Sequence, residues 1–324
     1  MIQNKFKQDL LDIVEKDIPI LDGKNFISLS KISMAPNQNS TNSAFSKKWL
    51  EYNKSEDKEI FFEMQREWYL KLYGFPSESE LANYLQSKKY IYDAGSGMGY
   101  KAAWFAKLAP ESIVIGMDFS DTAKISAETY ADIPNLFFIQ GDIADPLFKD
   151  GSIDYVSCDQ VIMHTEEPVK TFAELTRITK SGGEFSCYFY AKKALPRELI
   201  DEYFRQHCTS MTHEELMQMS EQLTELGKRL SELNISLDVP AIPALGIKGG
   251  EMDIQRFIYW NFLKCFWSSD LGHETSVITN LDWYSPTNAK RFSYEEVRRL
   301  VSDNQLTVVN FHSEEACYSG RFKK

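Results

Sequence analysis

The sequence predicts an α/β fold built on a doubly wound, mostly parallel sheet. Two observations carry this. From Tyr90 onward, strand-length apolar runs at 90–92, 113–117, 136–139, 153–158 and 185–190 alternate with helix-length segments, and the first run leads straight into the glycine turn Gly95-Ser-Gly-Met-Gly99. Strands separated by helices in this way form βαβ units, whose sheet is covered on both faces and therefore apolar along its whole length.

Taken in order, residues 1–80 read as helical and polar, interrupted at 35–43, where Pro36 and a run of Asn, Ser and Thr have loop composition. Phe45, Trp49, Tyr52, Phe61, Phe62, Trp68, Tyr69 and Tyr73 follow, an aromatic density that a solvated arm does not need. This stretch is expected to lie over something apolar, with Trp49, Tyr52 and Tyr69 as a lid or, more plainly, as a packing helix. The Gly182-Gly183 pair predicts a turn before the fifth strand.

Between 192 and 280 the rhythm changes. Thr212 and Glu215 make a capping box, after which Leu216, Met219, Leu223, Leu226, Leu230 and Leu233 recur at helical spacing. This is one amphipathic helix, either the core of an inserted cap or a homodimer seam. A second capping box, Ser293 to Glu296, opens a helix with Val297, Leu300 and Val301, and 306–311 begins a final pair of strands. The expected organisation is a helical lid at 1–80, a sheet core at 81–191 plus 281–324, and a helical cap insertion at 192–280.

A chain of 324 residues with 43% hydrophobic and 26% charged residues has ample material for a packed core. Its net charge of −11, without a basic block, disfavours a nucleic-acid partner, which needs cations against phosphate. No run of about 20 apolar residues suits a membrane span, and nothing at the start reads as a signal peptide, so a cytoplasmic location is expected. The five cysteines are scattered without a C-x-x-C pair, which suggests neither a disulfide framework nor a metal site.

The glycine turn has the spacing G-x-G-x-G, with Tyr100 where a dinucleotide fingerprint has its third glycine. Asp93 lies just before it. A carboxylate there repels a pyrophosphate but accepts a hydrogen bond from an amino group. Asp118 closes the second strand, where an acid binds ribose hydroxyls, and Asp142 follows the third, where it can receive the exocyclic amine of an adenine held between Phe119 and Ile143. For each acid alone, loop capping is the plainer alternative.

In this combination the chain resembles the class I S-adenosylmethionine-dependent methyltransferases over residues 88–190. The resemblance implies a Rossmann-like, seven-stranded sheet, S-adenosyl-L-methionine as cofactor, and cofactor contacts from Asp93, Gly95, Ser96, Gly97, Gly99, Asp118, Phe119, Asp142 and Ile143. The segment 157–165 looks like the family's motif after the fourth strand, with Asp159 and Gln160 beside the methionine moiety. His164 stands at the second of the family's two histidines and Met163 at the first. His164 is the candidate base or acceptor-orienting group, since its ordinary pKa is near neutral; capping of the next helix is the alternative. The resemblance further implies that an O or N atom of a small-molecule acceptor is held in line with the sulfonium methyl.

Tyr188 and Tyr190, two residues apart on one strand face, are candidates for the acceptor pocket, or else core. Residues 281–286 resemble an Asp-Trp-Tyr-x-Pro element of some bacterial methyltransferases with helical insertions, which makes Asp282, Trp283 and Tyr284 candidate acceptor contacts; the alternative is a packed aromatic turn. A non-catalytic cofactor-binding subunit and a nicotinamide-dependent oxidoreductase are the rival readings of the whole.

Overall fold

The computed structural model describes residues 2–15, 25–28, 36–52 and 58–324. They form two compact units, Met1–Tyr190 with Lys290–Lys324, and Ala191–Ala289. Along the first run α1 (Ile2–Asp12), β1 (Phe26–Ser28), α2 (Pro36–Tyr52), α3 (Lys58–Tyr73), α4 (Glu78–Gln86), β2 (Tyr90–Ala94), α5 (Tyr100–Leu108), β3 (Ile113–Asp118), α6 (Thr122–Thr129), β4 (Leu136–Gln140), β5 (Ile153–Cys158), α7 (Pro168–Ile178) and β6 (Thr179–Tyr190). The second unit contains α8 (Leu195–Cys208), α9 (His213–Glu232), β7 (Ser236–Val239), β8 (Gly250–Asp253), α10 (Ile254–Asn261) and α11 (Gly272–Tyr284). The chain then completes the first with α12 (Tyr294–Asp303), β9 (Thr307–Ser313) and β10 (Cys317–Lys323).

The main sheet has the order β1-β4-β3-β2-β5-β6-β10-β9. From β1 to β6 the strands are parallel, and β10 runs antiparallel to both neighbours. Seven of these strands have the predicted doubly wound arrangement, and β1 adds an eighth at the edge. Side chains alternate between two apolar layers. Tyr92, Ile115, Met117, Phe137, Phe172 and Val297 share one; Tyr69, Ile91, Phe105, Val114 and Phe138 share the other. Because both faces are covered, β2 is buried at every residue, which is why its sequence shows no polar alternation.

Three local expectations give way to tertiary context. Residues 36–43 are not a loop but the first turns of α2, with Pro36 at the position where its fixed φ and missing N–H suit a helix start. Gly182 and Gly183 do not precede β6 but sit inside it, at a register shift between Ile153 and Tyr155 of β5. A side chain at 183 would stand 2.8 Å from the Asp154 carbonyl oxygen, so the glycine lets the strand pass that irregularity. The described N-terminal residues are also less separate than a lid: β1 pairs with β4 through Phe26 and Phe138, and Tyr69 and Leu72 of α3 lie in the core.

The second unit extends to Ala289 rather than 280 because α11 packs on α9. Both capping boxes form as read from the sequence. The buried face of α9, however, is the small-residue line Leu216, Ser220, Thr224 and Gly227, while Leu226 and Leu233 of the leucine stripe are exposed. Small residues allow close approach, and the polar ones are satisfied: Asn280 of α11 donates to Thr224 Oγ1 at 2.8 Å and accepts from the Phe266 N–H at 2.8 Å. A Cβ on Gly227 would press on the Cys265 carbonyl. Gly227→Ala gains about 1 kcal/mol of helix propensity and loses about 1–3 kcal/mol to overpacking. We expect a net fall in the melting temperature, measured by calorimetry.

Candidate active site

Parallel strands bring their C-terminal ends to one edge, and the loops there enclose a cavity lined by Gly95, Gly97, Asp118, Phe119, Asp142, Ile143, Gln160, Val161, His164 and Thr165. The turn after β2 depends on glycine, with φ of 79° at Gly95, 51° at Gly97 and 73° at Gly99. Gly97 is also tightly covered, since a Cβ there would lie 3.1 Å from the Trp49 ring.

Asp118 ties the turn to β3. Its Oδ2 accepts the Gly97 N–H at 2.8 Å, and its Oδ1 accepts the Ser120 N–H at 2.9 Å and hydroxyl at 2.6 Å. A carboxylate has about four acceptor positions, so Oδ2 keeps capacity toward the cavity. Asp142 accepts the Ala144 N–H through Oδ1 at 2.8 Å, and burial raises its carboxyl above the ordinary value against that bond. Both acids therefore cap their own loops and line the cavity at once.

Asp93, Ser96, Gly99 and Asp159 are not among the lining residues. Asp93 is fully buried at the end of β2 and faces Lys101, whose ammonium stands 3.2 Å from Asp93 Oδ1 and 3.3 Å from Asp159 Oδ2. The Asp93 contact is off the hydrogen-bond line, which leaves both of its oxygens without an aligned donor. Burial, opposed by Lys101, pushes the Asp93 carboxyl up to about 6. Burial lowers Lys101, but Asp159 and Asp93 outweigh it and hold the ammonium above its ordinary value. The position that sequence reading gave to a ligand amine beside Asp93 thus holds a lysine of the chain itself.

From α3, the Tyr73 hydroxyl donates to Asp159 Oδ1 at 2.8 Å, and Gln65 accepts from Gln160 Nε2 at 2.9 Å. Gln160 has φ 62°, a left-handed backbone unusual outside glycine, and Gln65 helps to hold it there. Gln38, Thr41, Asn42, Phe45 and Trp49 of α2 complete the lining. Of the expected lid, Trp49 is there; Tyr69 is instead buried, its hydroxyl 2.6 Å from that of Tyr155, and the Tyr52 side chain lies outside the described residues. Phe45 meets His164 edge-on with ring centres 4.6 Å apart.

Tyr188 is buried in the core against Trp68, and Tyr190 packs edge-on to His164 at 5.5 Å; neither lines the cavity. In the second unit, Trp283 and Tyr284 are buried, with the indole N–H and the phenol donating to Asp201 at 2.8 and 3.0 Å, while Asp282 beside them is half-buried. Sequence reading missed Lys101, Tyr73, Gln65 and the polar face of α2. Only Lys101 left a signal, a lone charge ahead of the apolar run 102–106. At the far end of the sheet His312, Glu314 and Cys317 come together, but Lys71 stands 3.7 Å from Glu314 and already meets its charge.

A glycine turn after the first central strand, acids at the ends of the next two and a cavity above them are the arrangement that the resemblance to class I methyltransferases leads one to expect. Comparison agrees: residues 92–187 match the family model described as a methyltransferase domain. Over that stretch, under a third of its length, the chain is similar to methyltransferases whose cofactor is S-adenosyl-L-methionine. It is 34% identical over 116 residues to an uncharacterized methyltransferase of Schizosaccharomyces pombe, covering 33% of this chain and 42% of that protein. It is 30% identical over 104 residues to demethylmenaquinone methyltransferase of Listeria monocytogenes, covering 31% and 44%. The chain thus spans less than half the length of these curated relatives. Magnesium protoporphyrin IX methyltransferase from Synechocystis, solved with S-adenosylmethionine bound, aligns at 12% identity over 90% of this chain and 98% of that one, with a TM-score of 0.45. No described helix is long and apolar enough to cross a membrane.

Proposed function

We propose that the protein transfers a methyl group from S-adenosyl-L-methionine to an O or N atom of a small-molecule acceptor. One observation carries the reading: the cavity lining combines Asp118 and Asp142 with Phe45, Trp49 and Phe119, and contains neither Lys nor Arg among the described residues. Carboxylates and aromatic faces attract a cation, whereas a dinucleotide's pyrophosphate needs positive or N–H-rich surroundings. This favours the sulfonium cofactor over a nicotinamide one.

In this reading Asp118 receives ribose hydroxyls, and Asp142 receives the adenine amine between Phe119 and Ile143. Gln160 stands near the methionine end, with Asp159, Lys101 and Asp93 beneath it. When bound, S-adenosylmethionine supplies an electrophilic methyl carbon. His164, at the wall of the cavity, takes the proton of an acceptor hydroxyl or amine, and Phe45 and Tyr190 fix its ring. Trp49 and Phe45 exclude water above the glycine turn. The same reading includes a cytoplasmic enzyme without a nucleic-acid or membrane partner. It also includes self-association along the half-exposed leucine stripe of α9.

The test is calorimetry of the folded protein with S-adenosylmethionine and S-adenosylhomocysteine, where saturable binding of both is expected and no heat from either sinks the reading. With an acceptor in hand, His164→Ala should lower kcat by about 10²–10⁴, with cofactor affinity unchanged. Near-wild-type turnover at every pH would remove His164 from the proton transfer.

A further inference from the structure

The loop after β5 carries a strained residue whose conformation no neighbouring element explains. Among the described residues outside glycine, Gln160, Asn234 and Gln305 have positive φ. Asn234 and Gln305 each follow the cap of a helix, α9 and α12, where a left-handed residue commonly ends the helix. Gln160, with φ 62°, follows a strand. Glycine would take that backbone without cost, so a glutamine there points to a use for its side chain.

The Gln160 carboxamide is held through its nitrogen. Nε2 donates to Gln65 Oε1 at 2.9 Å and, more weakly, to Asp159 Oδ2 at 3.5 Å. Asp159 pairs with the Lys101 ammonium and accepts from Tyr73, so its oxygens are acceptors and the group facing them must be the amide nitrogen. Both N–H groups of Gln160 are therefore engaged inside the wall. Its Oε1 has no partner among the described residues, and Gln160 lines the cavity, so this oxygen is the group left for a ligand. Gln65 is buried on the face of α3 that also carries Tyr69 and Tyr73, which fixes the amide from a helix packed in the core. Val161, the next residue of the loop, packs on Gly95, where an added Cβ would collide with its methyl groups. Gln160 thus lies beside the glycine turn.

We infer that Gln65 is a positioning residue for the cofactor: by holding the Gln160 amide nitrogen, it presents Gln160 Oε1 to the ammonium of the cofactor's methionine part. This rests on the methyl-transfer reading and departs from the expectation that Asp93 receives that ammonium, because Lys101 already stands 3.2 Å from Asp93. The carbonyl oxygen of Gln160 takes over the acceptor role that Lys101 closes off. Gln65 lies outside residues 92–187, so the contact is set by a helix that the family match does not cover.

The experiment is calorimetric titration of the full-length protein with S-adenosylhomocysteine, which has the amino-acid part, and with 5′-methylthioadenosine, which lacks it. Gln65→Met keeps the length of the side chain and removes the acceptor. It should weaken S-adenosylhomocysteine about fivefold, and Gln160→Ala about tenfold, as for one hydrogen bond involving a charged group. Neither variant should change methylthioadenosine binding by more than about twofold, and Gln65→Met should add nothing once residue 160 is alanine. A packing defect would weaken both ligands alike and add to the effect of Gln160→Ala; either result overturns the inference, as does a Gln65→Met that binds S-adenosylhomocysteine like wild type. If methylthioadenosine binds too weakly to titrate, the double variant decides, and if Gln65→Met does not fold, Gln65→Ala takes its place in the same titrations. A wild type that gives no heat with S-adenosylhomocysteine or S-adenosylmethionine fails the methyl-transfer reading itself, whereas an unaffected Gln65→Met on a binding wild type fails this inference alone.

Discussion

Asp118→Ala should weaken binding of S-adenosylmethionine by roughly 100-fold. Hydrogen bonds to a charged acceptor contribute about 1.5–3 kcal/mol each, and two from a ribose diol amount to roughly 3 kcal/mol, where each 1.4 kcal/mol is a factor of ten. The substitution also frees the Gly97 N–H and the Ser120 pair that Asp118 now holds, so the turn loses its fixed shape together with its ligand contact. The fold should survive, because Asp118 sits at the strand's end rather than in either core layer. Calorimetry gives the affinity and near-ultraviolet dichroism the fold; a change under threefold in a folded variant would remove Asp118 from the cofactor site.

Lys101→Met should be the most destabilising substitution near the site, by about 3–5 kcal/mol, as expected when one partner leaves a buried ion cluster. It strands Asp93, whose oxygens have no aligned donor and only the Lys101 ammonium as counter-charge, and leaves Asp159 to Tyr73 and Gln160. Adding Asp93→Asn removes the stranded charge, so the double variant should recover most of the loss, a coupling read from chemical denaturation. The pH dependence has a definite sign. The Asp93 carboxyl is raised from 3.8 to about 6 in the folded protein, so between those values the folded state binds more protons than the unfolded one, and its contribution falls as pH rises through that window. Without Lys101 the decline should extend to higher pH, and Asp93→Asn should abolish it. Equal slopes in wild type and Asp93→Asn would show that Asp93 is not the titrating group.

The sheet was legible because its strands are buried on both faces and read as apolar runs, and because helix-starting capping boxes are local chemistry. The cavity acids Asp118 and Asp142 were legible for a related reason: each lies at a fixed offset from a strand that could be recognised. The rest depends on distant partners. Phe26–Ser28 is too short to carry periodicity, and becomes a strand only because β4 offers an edge. Residues 36–43 have loop composition because Gln38, Thr41 and Asn42 face a cavity, so a functional helix looked like a break. In α9 the leucines suggested the packed face, but Thr224 lets α11 and Gly227 lets the Cys265 main chain come closer than leucines would allow. Asp93 was assigned to a ligand because nothing in the glycine-turn pattern reveals that Lys101, two residues beyond the last glycine, folds back onto it.

The α3 helix joins places far apart in the chain. The main-chain oxygen of Leu72 accepts from Asn310 of β9 and Ser319 of β10, one residue before Tyr73 grasps Asp159. A fragment trimmed to the stretch that matches the family model, residues 92–187, would discard this brace and the terminal hairpin together, leaving Asp159 without Tyr73 and the left-handed Gln160 without Gln65. Anyone dissecting the protein for crystallography or engineering should therefore carry residues 58–73 and the last two strands along with the matched centre, as a single working body.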